Sequence, residues 1–86
     1  MARALTMKRS IVPLSERKAF MQKLQARRAY YTAAQCRFWV FEESDLAGAF
    51  IEFIEASDAG TLAKALAGAP NHVVDAARIY QEVELD

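Results

Sequence analysis

The chain contains one cysteine, one histidine, two prolines and three glycines in 86 residues. A lone Cys36 permits no internal disulfide, which fits a reducing compartment. One cysteine and one histidine, His72, leave no cluster with metal-ligand spacing, and neither a metal nor a cofactor is expected. Long apolar runs are missing as well: none approaches the ~20 residues a membrane-spanning helix needs. The opening stretch MARALTMKRSIV carries charges where a signal peptide has its apolar segment. The expectation is a cytoplasmic protein. No residue pattern names a reaction, so whether the chain catalyses anything is left open by its motifs.

What is present points to one small folded unit, residues 1–86. Hydrophobic residues make up 53% of the chain, at or slightly above the globular norm. A domain of this size buries only a little over roughly 60% of the surface its unfolded chain exposes, so association would help it. Net charge is zero, yet the layout is lopsided. Residues 1–37 hold nine Lys/Arg and one acid, Glu16, while residues 38–86 hold two basic residues and ten acids. Two readings follow: the halves fold against each other so that opposite charges meet on neighbouring strands, or the basic half faces an anionic partner.

Residues 3–12 alternate loosely and stop at Pro13, which cannot continue a ladder and holds Val12 extended. Ser15 then caps a helix over 15–34, a stretch without Gly or Pro. Phe20, Leu24 and Tyr31 form its apolar stripe, with Met21 and Ala34 at the edges. Strands follow at 36–43 and 49–56, joined by a loop in which Gly48 supplies the left-handed residue. Ser57 or Asp58 caps a second helix with Leu62 and Leu66 inside, stopped by Gly68. Residues 71–77 suit one more helical turn, and 78–85 a last strand. The order β-α-β-β-α-β predicts an α+β, ferredoxin-like plan: a four-stranded antiparallel sheet, both helices on one face, and strand one between strands three and four.

The hairpin CRFWVFEESDLAGAFIEFIEAS, residues 36–57, is apolar on both faces. A pairing of Ser44 with Ala49 sets Phe41 opposite Glu52, Val40 opposite Phe53 and Trp39 opposite Ile54. The helix side would then carry Cys36, Phe38, Val40, Ile51, Phe53, Ile79, Val83 and Leu85; the bare side would carry Trp39, Phe41, Phe50, Glu52, Ile54 and Tyr80. A turn of another length mixes the two sets. Left in water, the bare side is a larger apolar patch than a monomer normally shows. A second copy is the simplest cover, because a twofold interface uses one patch twice. The expected homodimer contact is Trp39, Phe41, Phe50 and Ile54, with two sheets packed face to face in a barrel.

At this point the chain resembles the dimeric α+β barrel proteins, the group that includes antibiotic-biosynthesis-monooxygenase-like, NIPSNAP-like and muconolactone-isomerase-like members. The likeness lies in the element order, a helix ending ARRAYYTAAQ, the strand CRFWVFEE after it, a short hairpin and an acidic aromatic third strand. It implies the fold and the dimer. Some members oxidise aromatic substrates without metal or flavin, others bind haem or isomerise lactones, and the resemblance carries no catalytic residue across. A rival on the same plan is an RNA-recognition module, since Ala49-Phe50-Ile51-x-Phe53 overlaps its RNP1 pattern. The basic-Gly-aromatic start of RNP1 is missing, strand one offers no stacking aromatic, and sheet glutamates would repel phosphate.

Several side chains are candidates for a site. Arg27 and Arg28 flank the helix stripe near Tyr31 and are able to hold a carboxylate or phenolate between helix and sheet; alternatively their stems lie on apolar surface with the heads in water. His72, in a polar loop, is a general-base candidate or an exposed loop histidine. Trp39 and Tyr80 line a small-molecule cavity or fill a dimer core. Glu52 accepts a proton from a ligand or pairs with Lys8 or Arg9. The functional expectation is a small dimeric protein that acts on, or binds, a small aromatic or apolar molecule without metal or flavin. The alternative is a non-catalytic dimeric module for assembly or regulation.

Overall fold

The computed structural model describes residues 2–69 and 78–85. The first strand, β1 (Ala4–Ile11), ends just before Val12-Pro13. A single 3-10 turn, Leu14–Glu16, leads into α1 (Arg17–Ala33). Ser15, expected as a cap, lies inside this turn and caps nothing: the turn closes through Glu16 N–H donating to the Pro13 carbonyl, and no side chain caps α1. The 17-residue α1 contains neither Gly nor Pro, which lets it propagate unbroken.

The end of α1 is a Schellman turn. Gln35 adopts φ 65°, Gln35 N–H donates to Thr32 O at 3.1 Å and Cys36 N–H to Tyr31 O at 2.8 Å. Tyr31 and Cys36 are both in the hydrophobic core, the apolar contact that accompanies this motif. The chain then enters β2 (Arg37–Glu42), β3 (Ala49–Ala56) and α2 (Ala59–Ala67). Asp58 caps α2, accepting from Thr61 N–H at 2.7 Å and from Thr61 Oγ1 at 3.0 Å. Those bonds hold its carboxyl below the usual range. The last strand, β4, is only Tyr80–Gln81, extended by Glu82 N–H donating to Arg3 O. The longer strand expected over 78–85 is corrected accordingly: Ile79 packs on the core, whereas Val83 and Leu85 are exposed. The helical turn expected at 71–77 lies outside the described residues.

The four strands form one antiparallel sheet in the order β2-β3-β1-β4. β1 lies between β3 and β4, as expected, and the whole is an α+β fold compatible with the ferredoxin-like plan. Both helices pack on one face. Phe20 of α1 meets Phe50 with ring centroids 5.0 Å apart, and Tyr31 stacks on Phe38 at 5.8 Å. From α2, Leu62 and Ala65 pack with Ala4, Ile54 and Ala56. Tyr30 Oη ties the helices together by donating to Ala65 O at 2.7 Å. A side chain on Gly68 would press on that hydroxyl, so the glycine at the end of α2 permits the close approach.

The hairpin register differs from the expectation by one residue. Glu43 pairs with Ala49 through a 2.8 Å backbone bond, so Phe41 faces Ile51, Val40 faces Glu52 and Trp39 faces Phe53. The loop is five residues long rather than four, and a one-residue slip turns every side chain of a strand over. Phe50, Glu52 and Ile54 therefore lie beneath the helices, and Ile51 and Phe53 point to the open side. The corner is fixed by Gly48 at φ 90°. Its N–H donates to the Glu42 carboxylate at 2.9 Å, its carbonyl accepts from Val12 N–H at 2.8 Å, and a Cβ there would collide with the Val12 carbonyl oxygen.

The charge asymmetry resolves inside the fold. All six ion pairs among the described residues join a basic residue between Arg3 and Arg37 to an acid between Glu42 and Glu82.

Candidate functional site

The helix-side layer holds a buried ion pair. α1 sets Phe20, Leu24, Arg27 and Tyr31 three or four residues apart, so Arg27 stands in the middle of the apolar stripe. Below it is Glu52, 3% exposed. Arg27 Nη1 donates to both Glu52 carboxylate oxygens, at 2.8 and 3.0 Å. Neither expected partner of Glu52 makes this contact: Lys8 sits beside it in the sheet, and Arg9 pairs with Glu43 on the other face. A buried acid needs such a partner, because the uncompensated charge would be costly in the interior. The signal for it was an arginine at the centre of an apolar stripe.

A groove of about 240 Å³ runs between α1 and β2, lined by Met21, Leu24, Gln25, Arg28, Phe38 and Val40. It is smaller than the roughly 300–1,000 Å³ of typical small-molecule sites. Arg28 is exposed at this groove and has no ion pair among the described residues. Tyr31 is buried, and desolvation pushes its phenol above the usual pKa. Cys36 is a core thiol raised by burial, and its Sγ faces the Ala34 carbonyl at 3.7 Å.

The opposite face of the sheet is open. Met7, Trp39, Phe41, Ile51, Phe53 and Tyr80 occupy it, with Trp39, Phe41, Met7 and Tyr80 each 40–57% exposed. Phe41 and Phe53 meet edge to face at 5.7 Å. Charged residues border this apolar centre at both ends of the strands. Arg3, Arg37, Glu55 and Glu82 cluster at one end, and Arg9 pairs with Glu43 at the other.

The expected site residues are thus not gathered in one place. Arg27 and Glu52 bind each other, Arg28 lines the groove, Tyr31 is in the core, and Trp39 and Tyr80 sit on the far face on opposite edge strands. His72 lies outside the described residues. Of the expected dimer contacts, Trp39 and Phe41 are on the open face, while Phe50 and Ile54 are buried on the helix side, corrected by the register. Among the described residues no group of three or more His, Cys, Asp or Glu is placed to hold a metal, and no helix is long and apolar enough to cross a membrane.

No family model, curated protein or solved structure matches the chain. The fold and the side-chain layout carry the functional reading alone.

Proposed function

We propose that the protein works as a homodimer, two sheets packed through their open faces into an α+β barrel, and that self-association is what this surface is for. The observation that carries the reading is the aromatic open face around Trp39, Phe41 and Phe53. An apolar centre with a polar border is the anatomy of a protein interface. Aromatic side chains of this kind contribute roughly 1.5–3 kcal/mol each when fully buried, before entropy is subtracted. The border carries both signs, paired within the protomer, so a second copy meets no net repulsion. This favours the non-catalytic assembly or regulatory module over an enzyme that uses Glu52 as its base, because that carboxylate is held by Arg27.

Binding of a small apolar molecule is the second reading, favoured by the groove that joins Arg28 to Met21, Leu24, Phe38 and Val40. In it, the guanidinium would meet an anionic group and the apolar walls the rest of the molecule. An RNA-recognition role draws less support, because Phe50 of the RNP1-like stretch is buried and the open face bears Glu55 and Glu82. The test is sedimentation of the native chain beside Trp39→Glu and Phe41→Glu. The reading expects a native dimer and two folded monomeric variants; unchanged association in both variants contradicts it.

A further inference from the structure

The outer edge of β2 carries hydrogen-bonding groups without partners. Glu43 and Ala49 form a bonded pair, so the alternation of an antiparallel ladder turns the backbone groups of residues 37, 39, 41 and 43 toward β3. Those of Phe38, Val40 and Glu42 face outward, and β2 ends the sheet, with no strand beside it among the described residues. Edge strands are usually blunted by Pro, Lys, a bulge or short length, because a bare edge is a template for another strand. β2 pairs with β3 without a bulge from Arg37 to Glu42, and its centre, Phe38-Trp39-Val40-Phe41, is wholly apolar. The opposite edge differs: β4 is only Tyr80–Gln81 and runs on into Glu82 and Glu84.

This edge is complementary to itself. A twofold axis perpendicular to the sheet lays β2 antiparallel to β2 of a second copy and keeps both helix layers on one side. With the axis at Val40, Val40 meets Val40 and Phe38 meets Glu42 of the second copy, and these are the positions whose backbone groups face outward. The Glu42 carboxylate is turned away to Arg17 and the Gly48 N–H. Trp39 meets Phe41 and Arg37 meets Glu43 at the non-hydrogen-bonded positions, where side chains come closest and where aromatic and opposite-charge pairs add stability. Both charges are available. The Arg37 side chain is 75% exposed and reaches Glu55 only at 4.0 Å, while Glu43 is 52% exposed and takes a single 3.3 Å contact from Arg9. Moving the axis by one residue loses the match: at Trp39 it sets Arg37 against Phe41, and at Phe41 it sets Trp39 against Glu43. The axis at Val40 also brings the two grooves between α1 and β2 side by side, so that each copy helps to cover the other's Val40 and Met21.

We infer that two copies pair antiparallel through their β2 edges about a twofold axis at Val40, joining their four-stranded sheets into one continuous sheet with all helices on the same side. The contact lies at the edge, so it is separate from the open-face dimer; it buries less apolar surface and shows at submillimolar concentration. The test is the full chain with a cysteine placed on or off the axis. Two Val40 positions in a bonded pair lie about 5.5 Å apart, within the roughly 4.4–6.8 Å that a disulfide spans, whereas two Arg37 positions lie about 20 Å apart along the strands. Under copper–phenanthroline oxidation, Val40→Cys should cross-link into dimers several-fold more than the more exposed Arg37→Cys, with the native chain, whose Cys36 is buried, as background. Equal or weaker cross-linking overturns the inference. Sedimentation of Met7→Glu separates it from the open-face reading, since Met7 lies on the open face but on β1. At submillimolar concentration this variant should keep the mass of two chains. Adding Val40→Pro, which removes an outward N–H where an edge strand tolerates proline, should return it to one. Met7→Glu at one chain, or the double variant at two, overturns the edge contact. A native chain that stays at two chains, with Met7→Glu also at two, keeps the edge contact and removes the open-face dimer.

Discussion

Arg27 and Glu52 form an ion pair beneath α1 in which one guanidinium nitrogen donates to both carboxylate oxygens, with Glu52 almost wholly out of water. This pair explains how the strand AFIEFIEA sends Phe50, Glu52 and Ile54 inward rather than Ile51 and Phe53. An interior charge without its partner is strongly destabilising, typically ~3–5 kcal/mol, whereas an apolar replacement of both is near neutral. Urea unfolding of Arg27→Met and Glu52→Gln should each show a loss of that order, and Arg27→Met/Glu52→Leu should recover most of it. Losses that simply add in the double variant would show that the two groups act independently.

The same pair marks where the sequence was legible and where it was not. Element order, the position of β1 and Gly48 at the hairpin were readable, with Asp58 as one of two cap candidates and the meeting of basic and acidic halves as one of two readings of the charge layout, because each follows from local chemistry or simple periodicity. The faces of β3 were not. Period-two alternation assigns two sets of residues but leaves their orientation to loop length, and Ser44–Gly48 spans one residue more than expected. The inward position of Glu52 depends on Arg27 standing over it, a contact between helix and sheet that strand alternation does not encode. Trp39 and Tyr80 on the bare side and Tyr31 on the apolar stripe were readable as well; the separation of Arg27, bound to Glu52, from Arg28 at the groove was not, since it depends on that register and on which helix covers which strand.

Register has its own test. Phe50 is 3% exposed and packs on Phe20, while Ile51 points to the open face. Phe50→Lys should therefore lower the thermal midpoint sharply, at a cost of several kcal/mol. Ile51→Lys should leave the fold intact and weaken self-association. The reverse pattern in calorimetry and sedimentation would contradict the observed pairing.

Gln35 holds a left-handed conformation at the end of α1, a position that suits glycine. Relieving that strain is worth about 1 kcal/mol, partly offset by the greater freedom of glycine in the unfolded chain. Gln35→Gly should raise the midpoint by up to roughly 4–8 °C. A lower midpoint would mean that the glutamine side chain contributes a contact of its own.

Acid should loosen the hairpin corner. The Arg17 guanidinium, and then the Gly48 N–H, hold the Glu42 carboxyl down from 4.5 to about 2. A depressed carboxyl contributes stability that is complete above its unfolded value and disappears as pH falls through its folded one. Its contribution should thus be constant at neutral pH and be lost between about 4.5 and 2. Glu42→Gln should flatten the pH dependence of stability in that window. An unchanged slope would place the acid sensitivity elsewhere, with Glu82 beside Arg3, also lowered, as the next group to replace.

The open face decides the rest. Sedimentation equilibrium of the native chain at micromolar concentration should return twice the 9.6 kDa chain mass. A mass of one chain throughout that range would mean that Trp39, Phe41 and Phe53 stand in water without a partner, and the homodimer would have to be abandoned.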